Sequence, residues 1–330
     1  GGGLQGILAT SLGHDEFTLK DLDEIRVLVI GVSGYEKDYK LADTIMLCSY
    51  NPKAQQASIL SIPRDTYVGK NKEKASASYK INSVYRNGEN IDGMVKSIEE
   101  IIGIEIDNYV MVKSIENIVG LEINNYLVID TEVLVELVDA IGGVYYEVPI
   151  DMWYDDDSQN LHIHLDAGYQ KLTGKQAEGL VRFRHNNDGT SYPIEYGDND
   201  LGRMKTQREF ITQVLKQTLK PENILKINDI LKIAMNNVNT NLTFDLVKDY
   251  IPYSVNFNTE NLKTNTLPGV PELVNNVYIY TVNKTKTKKV VEELFENKEL
   301  VDNETNTILT NTTNTTNTTK STSTKKKSSK

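Results

Sequence analysis

Short, strand-sized apolar runs alternate along this chain with longer stretches of helical period, and that interleaving restricts the fold more than any single motif. The first run spans 25–30 and stops at Gly31; a second spans 44–50 and a third 57–62. Asn51-Pro52-Lys53, between the last two, is turn chemistry, so those runs predict a hairpin. The pattern then predicts a helix over 91–102, a strand over 109–112, a helix over 131–140 stopped by Gly142-Gly143, and a strand over 144–148 closed by Pro149. Helices follow over 173–181, 201–219, 224–235 and 244–254, then strands over 262–267 and 277–280 and a last helix over 284–295. This alternation, with one early hairpin, predicts an α/β fold: a mixed central sheet covered by helices on both faces, an α-β-α sandwich. No apolar run approaches the ~18 residues a membrane span needs, so an integral membrane domain is not expected within these residues.

One segment repeats. Residues 96–112 recur as 113–129, a period of 17 with ten identical positions, so one helix-turn-strand unit looks duplicated in tandem. A solenoid needs about three units or more, which leaves a tolerated insertion as the simplest reading. The chain opens Gly1-Gly2-Gly3 without a Met or a leader pattern, so residues 1–22 read as a linker remnant and any signal or anchor is expected upstream. Residues 298–330 are rich in Asn, Thr and Lys and are expected to be disordered. One domain over 23–297 remains.

The formal net charge is −10, which argues against nucleic acid as a partner. A single cysteine, Cys48, excludes an intramolecular disulfide and a Cys-based zinc site. His162 and His164 would share one face of a strand, but the sequence offers them no acidic partner at metal spacing. Lysine supplies most of the positive charge, so the few arginines mark candidate sites: Arg is preferred where phosphate or carboxylate is gripped by a planar fork.

Four of those arginines fall at predicted element ends beside polar partners. Arg64-Asp65 closes the third strand, where open α/β sheets bind ligands; a surface ion pair would read the same way. Arg182-Phe183-Arg184 follows a short helix, and if extended would point both guanidinium groups to one face, with diphosphate as the natural anion between them. Asp200 fits an N-cap of the long helix, and Arg203 and Gln207, four apart, share one face of it. Lys80 is a weaker signal, and Asp43 offers one hard oxygen ligand for Mg²⁺. There is no Walker-type loop, no GxSxG elbow and no HExxH, which disfavours P-loop nucleotide hydrolysis, esterase chemistry and zinc proteolysis.

In order, these motifs resemble the LytR-CpsA-Psr family of cell-wall glycopolymer ligases. The residues that carry the likeness are Val27-Leu28-Val29-Ile30-Gly31, Ala42-Asp43-Thr44, Asn51-Pro52, Ser61-Ile62-Pro63-Arg64-Asp65, Lys80-Ile81-Asn82, Gly142-Gly143-Val144, Leu172-Thr173-Gly174, Val181-Arg182-Phe183-Arg184 and Asp200-x-Gly202-Arg203. The resemblance implies a polyprenyl pyrophosphate donor with its lipid in an apolar tunnel between sheet and helices. It implies a diphosphate met by Arg64, Arg182, Arg184 and Arg203, helped by Lys80 and Gln207. The activity implied is a phosphotransfer that joins teichoic acid, capsule or a related glycopolymer to peptidoglycan through a phosphodiester. The family works on the extracellular face of the membrane, anchored by one N-terminal helix.

In the mechanism expected from charge, the arginines, with Mg²⁺ on Asp43 if used, stabilise the diphosphate while a peptidoglycan hydroxyl attacks. Asp65 or Asp200 would orient or deprotonate that hydroxyl, or only position arginines. Three departures thin the pocket. Ser33 stands where the family often has Asp, Leu41-Ala42 where an Arg commonly precedes the Asp-Thr pair, and Thr206 where a second helix Arg often lies. A polyprenyl-pyrophosphate hydrolase and a non-catalytic lipid- or glycan-binding envelope protein are the alternatives.

Overall fold

β-branched and aromatic residues dominate the strand segments, and capping side chains fix where the helices begin. The structure, a computed structural model, describes residues 4–13, 21–33, 41–83, 106–224, 226–236, 238–295, 300–301 and 308–309. Its first elements are α1 (Leu4–Ser11), β1 (Ile25–Ser33), β2 (Leu41–Asn51), β3 (Gln56–Ser61), α2 (Ile106–Val119), β4 (Asn125–Asp130), α3 (Thr131–Ala140) and β5 (Val144–Val148). Next come β6 (Met152–Asp156), β7 (Leu161–Leu165), β8 (Gly168–Leu172), α4 (Gly174–Arg182), α5 (Asn199–Thr218), α6 (Ile227–Asn236), β9 (Asn239–Thr240) and α7 (Phe244–Ser254). The main body ends with β10 (Leu262–Thr266), β11 (Gly269–Val274), β12 (Val277–Val282) and α8 (Lys284–Leu294).

The central sheet is mixed, in the order β10-β3-β2-β1-β4-β9. The predicted hairpin is β2–β3, and β1 extends it antiparallel. β4 joins β1 in parallel and β10 joins β3 in parallel. On one face Leu28, Ile30, Leu47, Leu60 and Val128 form a core with Met111 and Ile115 of α2 and with Val291 and Leu294 of α8. Each such buried aliphatic side chain contributes roughly 1.5–3 kcal/mol. From the other side, α3 and α5 touch the sheet. A second core lies under them, where α3, α4, α5 and Phe183 just after α4 bury Val138, Leu180 and Phe210 against the antiparallel pairs β5–β8 and β6–β7.

The duplicated segment takes two different structures. In the second copy Gly120 adopts φ +70° and ends α2, and residues 125–130 become β4. The matching part of the first copy, expected as a strand over 109–112, is instead the N-terminal half of α2. Only one copy can occupy the slot between β1 and β9, and the second leads directly into Asp130, whose carboxylate accepts the Val133 N–H (3.0 Å) and caps α3. The other copy lacks a sheet edge, and its Met111 and Val112 bury as part of a helix face, with Met111 fully enclosed. The predicted helix over 91–102 lies outside the described residues.

Two further expectations change. Residues 1–22, read as a linker remnant, contain α1, whose Leu8 and Leu12 are buried against Ile227 and Leu231 of α6. The hairpin β6–β7 was not expected, because His162, His164 and three acidic residues mask its alternation; its inward side chains are Met152, Leu161, Ile163 and Leu165. Leu300–Val301 pairs with Ile308–Leu309, and the rest of the expected tail lies outside the described residues. Among the described residues no helix is long and apolar enough to cross a membrane.

Glu116 locks the helical end of the repeat. Its carboxylate, 6% exposed, accepts the buried Ile123 N–H (2.8 Å) and pairs with Lys113 (2.6 Å). Glu116→Ala should strand that N–H and lower unfolding free energy by about 2 kcal/mol in urea melts. A change below about 0.5 kcal/mol would mean the contact does not hold β4 in register.

Candidate functional site

Four element ends converge beyond the end of β3. The β1–β2 register breaks between Gly31 and Val32, which pair with Thr44 and Ala42, so Asp43 is the extra residue of a β-bulge. Gly31 permits this approach, since a Cβ there would lie 2.8 Å from the Thr44 Cβ. The bulge re-aims Asp43 toward Arg64, which follows β3 after Pro63. A Thr173–Gln176 capping box sets the register of α4, whose last residue is Arg182. Phe183 leaves the helix in extended conformation and is 1% exposed, and it anchors Arg184 beside the site. The first turn of α5 supplies Asp200 and Arg203.

Three guanidinium groups meet one carboxylate oxygen. Asp200 Oδ1 lies 2.6 Å from Arg203 Nη2, 3.7 Å from Arg184 Nε and 3.9 Å from Arg64 Nε. None of these contacts has hydrogen-bond geometry, and the buried Nε–H groups of Arg64, Arg184 and Arg203 find no acceptor among the described residues. Arg64 Nη1 is also 2.6 Å from Asp43 Oδ1, and Arg203 Nη2 donates to the Asp43 carbonyl (3.0 Å). Burial pulls the Arg64 pKa down, but Asp200 and Asp43 more than reverse it and leave it raised. Arg203, 5% exposed at its side chain, goes the other way: burial dominates over Asp200 and Asp43 and lowers its pKa. Three cations facing two carboxylates leave an excess positive charge with idle donors, a preformed anion site.

The remaining predicted residues divide. Lys80 Nζ is 2.7 Å from Asp65 Oδ1, a separate ion pair on the residue next to Arg64. Arg182 does not join Arg184 as an alternating pair. It is still helical, and it binds Glu178 (3.0 Å) and Gln159 (3.3 Å) instead. Gln207 uses its amide NH₂ on the Val181 carbonyl (2.8 Å), tying α5 to the end of α4. Asp200 is not the N-cap: α5 starts at Asn199 after Asp198, so Asp200 lies in the first turn, where a carboxylate still favours the positive helix end.

The loop between α4 and α5 was not singled out from sequence, yet it sets the spacing of Arg184 and Arg203. Ser191 Oγ donates to the Arg184 carbonyl (2.6 Å) and accepts from the Asn199 N–H (3.1 Å). Asn186 and Asn187 bind the backbone of β6 at Trp153 and Asp155. The only sequence signal here is the density of Asn, Gly and Ser, which marks a loop without saying what it clamps.

For metals, Asp43 offers one carboxylate, already paired with Arg64, and position 33 is Ser. Among the described residues no three His, Cys, Asp or Glu side chains could hold an ion together. That set fits only a shared Mg²⁺, which takes few carboxylates and draws its other ligands from phosphates and water. His162 and His164 do find a carboxylate, Asp155 on the adjacent strand, at 2.7 and 2.9 Å. Hydrogen bonds from His164 and His162 hold Asp155 below the usual carboxylate range.

The sheet face under α3 and α5 carries a further feature. Val27, Val29, Cys48, Leu127 and Ile129 are central in the sheet yet only half-buried, unlike Leu28 and Ile30 on the opposite face. Burial pushes the Cys48 thiol up to about 12, although Cys48 retains accessible surface.

The sequence model of the LytR_cpsA_psr family matches residues 9–113 and 110–296. A Bacillus subtilis (strain 168) protein named polyisoprenyl-teichoic acid–peptidoglycan teichoic acid transferase TagU is 27% identical over 287 residues, covering 86% of this chain and 81% of the relative. The crystal structure of B. subtilis TagV superposes with a TM-score of 0.63 at 23% identity, covering 82% of this chain and 96% of that one. A structure of TagT bound to LIIa-WTA superposes with a TM-score of 0.58 at 20% identity, covering 86% of this chain and 93% of that one. These structural likenesses establish the shared α/β fold.

Gly202 tests how the loop sets the site. A Cβ there would lie 2.2 Å from the Gly197 carbonyl oxygen and 2.3 Å from the Tyr192 ring. Gly202→Ala should therefore cost about 1–3 kcal/mol in thermal or urea unfolding and weaken inorganic pyrophosphate binding. A variant with native stability and affinity would show that the loop does not position Arg184.

Proposed function

The chain belongs to the LytR-CpsA-Psr family, and on that premise we propose that it moves an anionic cell-wall glycopolymer from a polyprenyl diphosphate carrier to peptidoglycan. The observation that carries this reading is the Asp200 cluster, with three buried guanidinium Nε–H groups and no acceptor for them. A diphosphate diester bears two negative charges and several acceptor oxygens, which matches that deficit. The half-buried apolar side chains of Val29, Cys48 and Leu127 would give a lipid a surface to lie against on the sheet.

In the proposed reaction a peptidoglycan hydroxyl attacks the phosphorus nearer the glycan. An O–P bond forms to the acceptor sugar, the bond to the bridging oxygen breaks, and polyprenyl phosphate departs with that electron pair. The products are a glycan–peptidoglycan phosphodiester, polyprenyl phosphate and the hydroxyl proton. Arg64, Arg184 and Arg203 would neutralise charge on the diphosphate as the leaving oxygen gains it. Asp200 is a positioning residue in this scheme, because its Oδ1 already faces three guanidinium groups. Asp65, one-third exposed and paired with Lys80, is the better candidate to receive the acceptor proton. Arg182 would act through the end of α4 rather than on the phosphates. A Mg²⁺ ion shared by Asp43 and the donor phosphates would add charge neutralisation. The carrier and the acceptor meet at the outer face of the cell membrane, where an anchor preceding these residues would hold the domain.

The decisive measurement is transfer of a polyprenyl-diphosphate-linked glycan to purified peptidoglycan, with mass spectrometry of lipid carried by the protein. Arg203→Gln should bind the diphosphate at least tenfold more weakly and lower transfer by 10²-fold or more, an estimate of about 3 kcal/mol for a buried charge-assisted contact. Release of polyprenyl phosphate at full rate without peptidoglycan would replace the transferase by a hydrolase. Lipid bound without any turnover would leave only a binding protein.

Chelation separates the metal's part. EDTA should reduce transfer, Mg²⁺ should restore it, and Asp43→Asn should no longer respond to either. Transfer indifferent to EDTA would assign the charge neutralisation to arginine alone.

A further inference from the structure

A second cationic site lies on another side of α5. A cavity of about 660 Å³ is bounded by Leu201, Lys205 and Arg208 on that helix, by Thr266 at the end of β10, by the β11–β12 hairpin and by Lys286 on α8. Leu201, Lys205 and Arg208 have the spacing of one helix face, whereas Arg203 points about 140° away from Arg208 around the axis. The cavity is therefore outside the Asp200 cluster, though Leu201 belongs to the same first turn.

Four cations line this cavity, Lys72, Lys205, Arg208 and Lys286, against one carboxylate, Glu272. Glu272 is already engaged by Lys72 and Thr281. Lys205 lies 3.8 Å from Glu209 and 3.9 Å over the Tyr196 ring. Among the described residues no carboxylate lies within ion-pair distance of Arg208 or Lys286; Arg208 donates only to the Thr266 hydroxyl, at 3.0 Å. Burial lowers the Arg208 pKa. Glu209 and Tyr196 oppose that shift electrostatically without reversing it. A half-buried guanidinium with no carboxylate at ion-pair distance is costly, and in a concave wall beside Lys286 an incoming anion would satisfy it. The planar fork of Arg beside the mobile ammonium of Lys suits phosphate.

We propose that this cavity is a second anion subsite, which takes a phosphodiester-bearing segment of the glycopolymer while the diphosphate sits at the Asp200 cluster. This deepens the proposed transferase reading and rests on it for the identity of the polymer. Thr266 pairs with Ser61, three residues before Arg64, so the two sites flank the same corner of the sheet. A polymer leaving the diphosphate site crosses the first turn of α5 to reach Arg208. The subsite would then select polymers with backbone phosphate over neutral glycans and hold the chain away from the acceptor's path.

The test is a set of titrations of the full chain with a soluble glycerol-phosphate oligomer, inorganic phosphate and geranylgeranyl diphosphate. Arg208→Gln/Lys286→Gln should bind the oligomer about tenfold more weakly, with a shallower salt dependence, and keep its geranylgeranyl diphosphate affinity within about twofold. Lys286→Glu should show the same selective loss; its side chain is exposed, so folding is not at stake. Oligomer affinity unchanged in both variants overturns the proposal, as does an equal loss of both ligands. Inorganic phosphate binding as tightly as the oligomer would reduce the cavity to a simple ion site and overturn the polymer assignment. A wild type that binds the oligomer but not the diphosphate would support the cavity and sink the reading of the Asp200 cluster.

Discussion

The carboxylate of Asp200 is the contact on which the site depends. Three guanidinium groups from three segments of the chain would repel one another at this distance in a half-dry pocket. One oxygen, 2.6 to 3.9 Å from all of them, offsets that repulsion without satisfying their Nε–H donors. The arrangement is held together yet left short of acceptors. An anion with several oxygens completes it at little cost in reorganisation, which is the condition for electrostatic stabilisation of a phosphoryl transfer.

Both hydrophobic cores serve that geometry. The core of β1, β2, β3, α2 and α8 fixes Arg64 and the Asp43 bulge at one end of the central strands. The second core, with Phe183 and Phe210, fixes the end of α4 and the start of α5. The Asp200 cluster sits where the two meet, and Arg203 crosses between them to the Asp43 carbonyl. Val29 and Cys48, on the sheet face that α3 and α5 approach, stay only half-buried, so this apolar face is less completely covered than the one packed on α2 and α8.

Positive charge along α5 is organised by helical phase. Arg203 turns toward Asp200, and Lys205 and Arg208 turn toward the β11–β12 hairpin. Thr206, between these phases, is fully buried and bonded to the Tyr196 hydroxyl (2.9 Å). Two residues on and about 200° around the axis, Arg208 carries its charge to the other side of the helix.

The sequence by itself determined the α/β class, the β2–β3 hairpin, most of the helices and the arginines worth watching, because periodicity and residue type are local properties. It named Arg64, Arg184, Asp200 and Arg203, which the structure brings together, and also Arg182, which binds Glu178 because the capping box carries α4 one residue too far for an extended pair. It could not tell that residues 106–112 are helical while their near-copy at 123–129 ends in a strand. The two copies have similar propensity, and only a vacant sheet edge separates their fates. Nor could it show that Ser191 and Gly202 set the spacing of the arginines, or that Arg208 and Lys286 face one cavity with no carboxylate at ion-pair distance among the described residues. Those facts join residues from well-separated parts of the chain, and the packing of the two cores decides them.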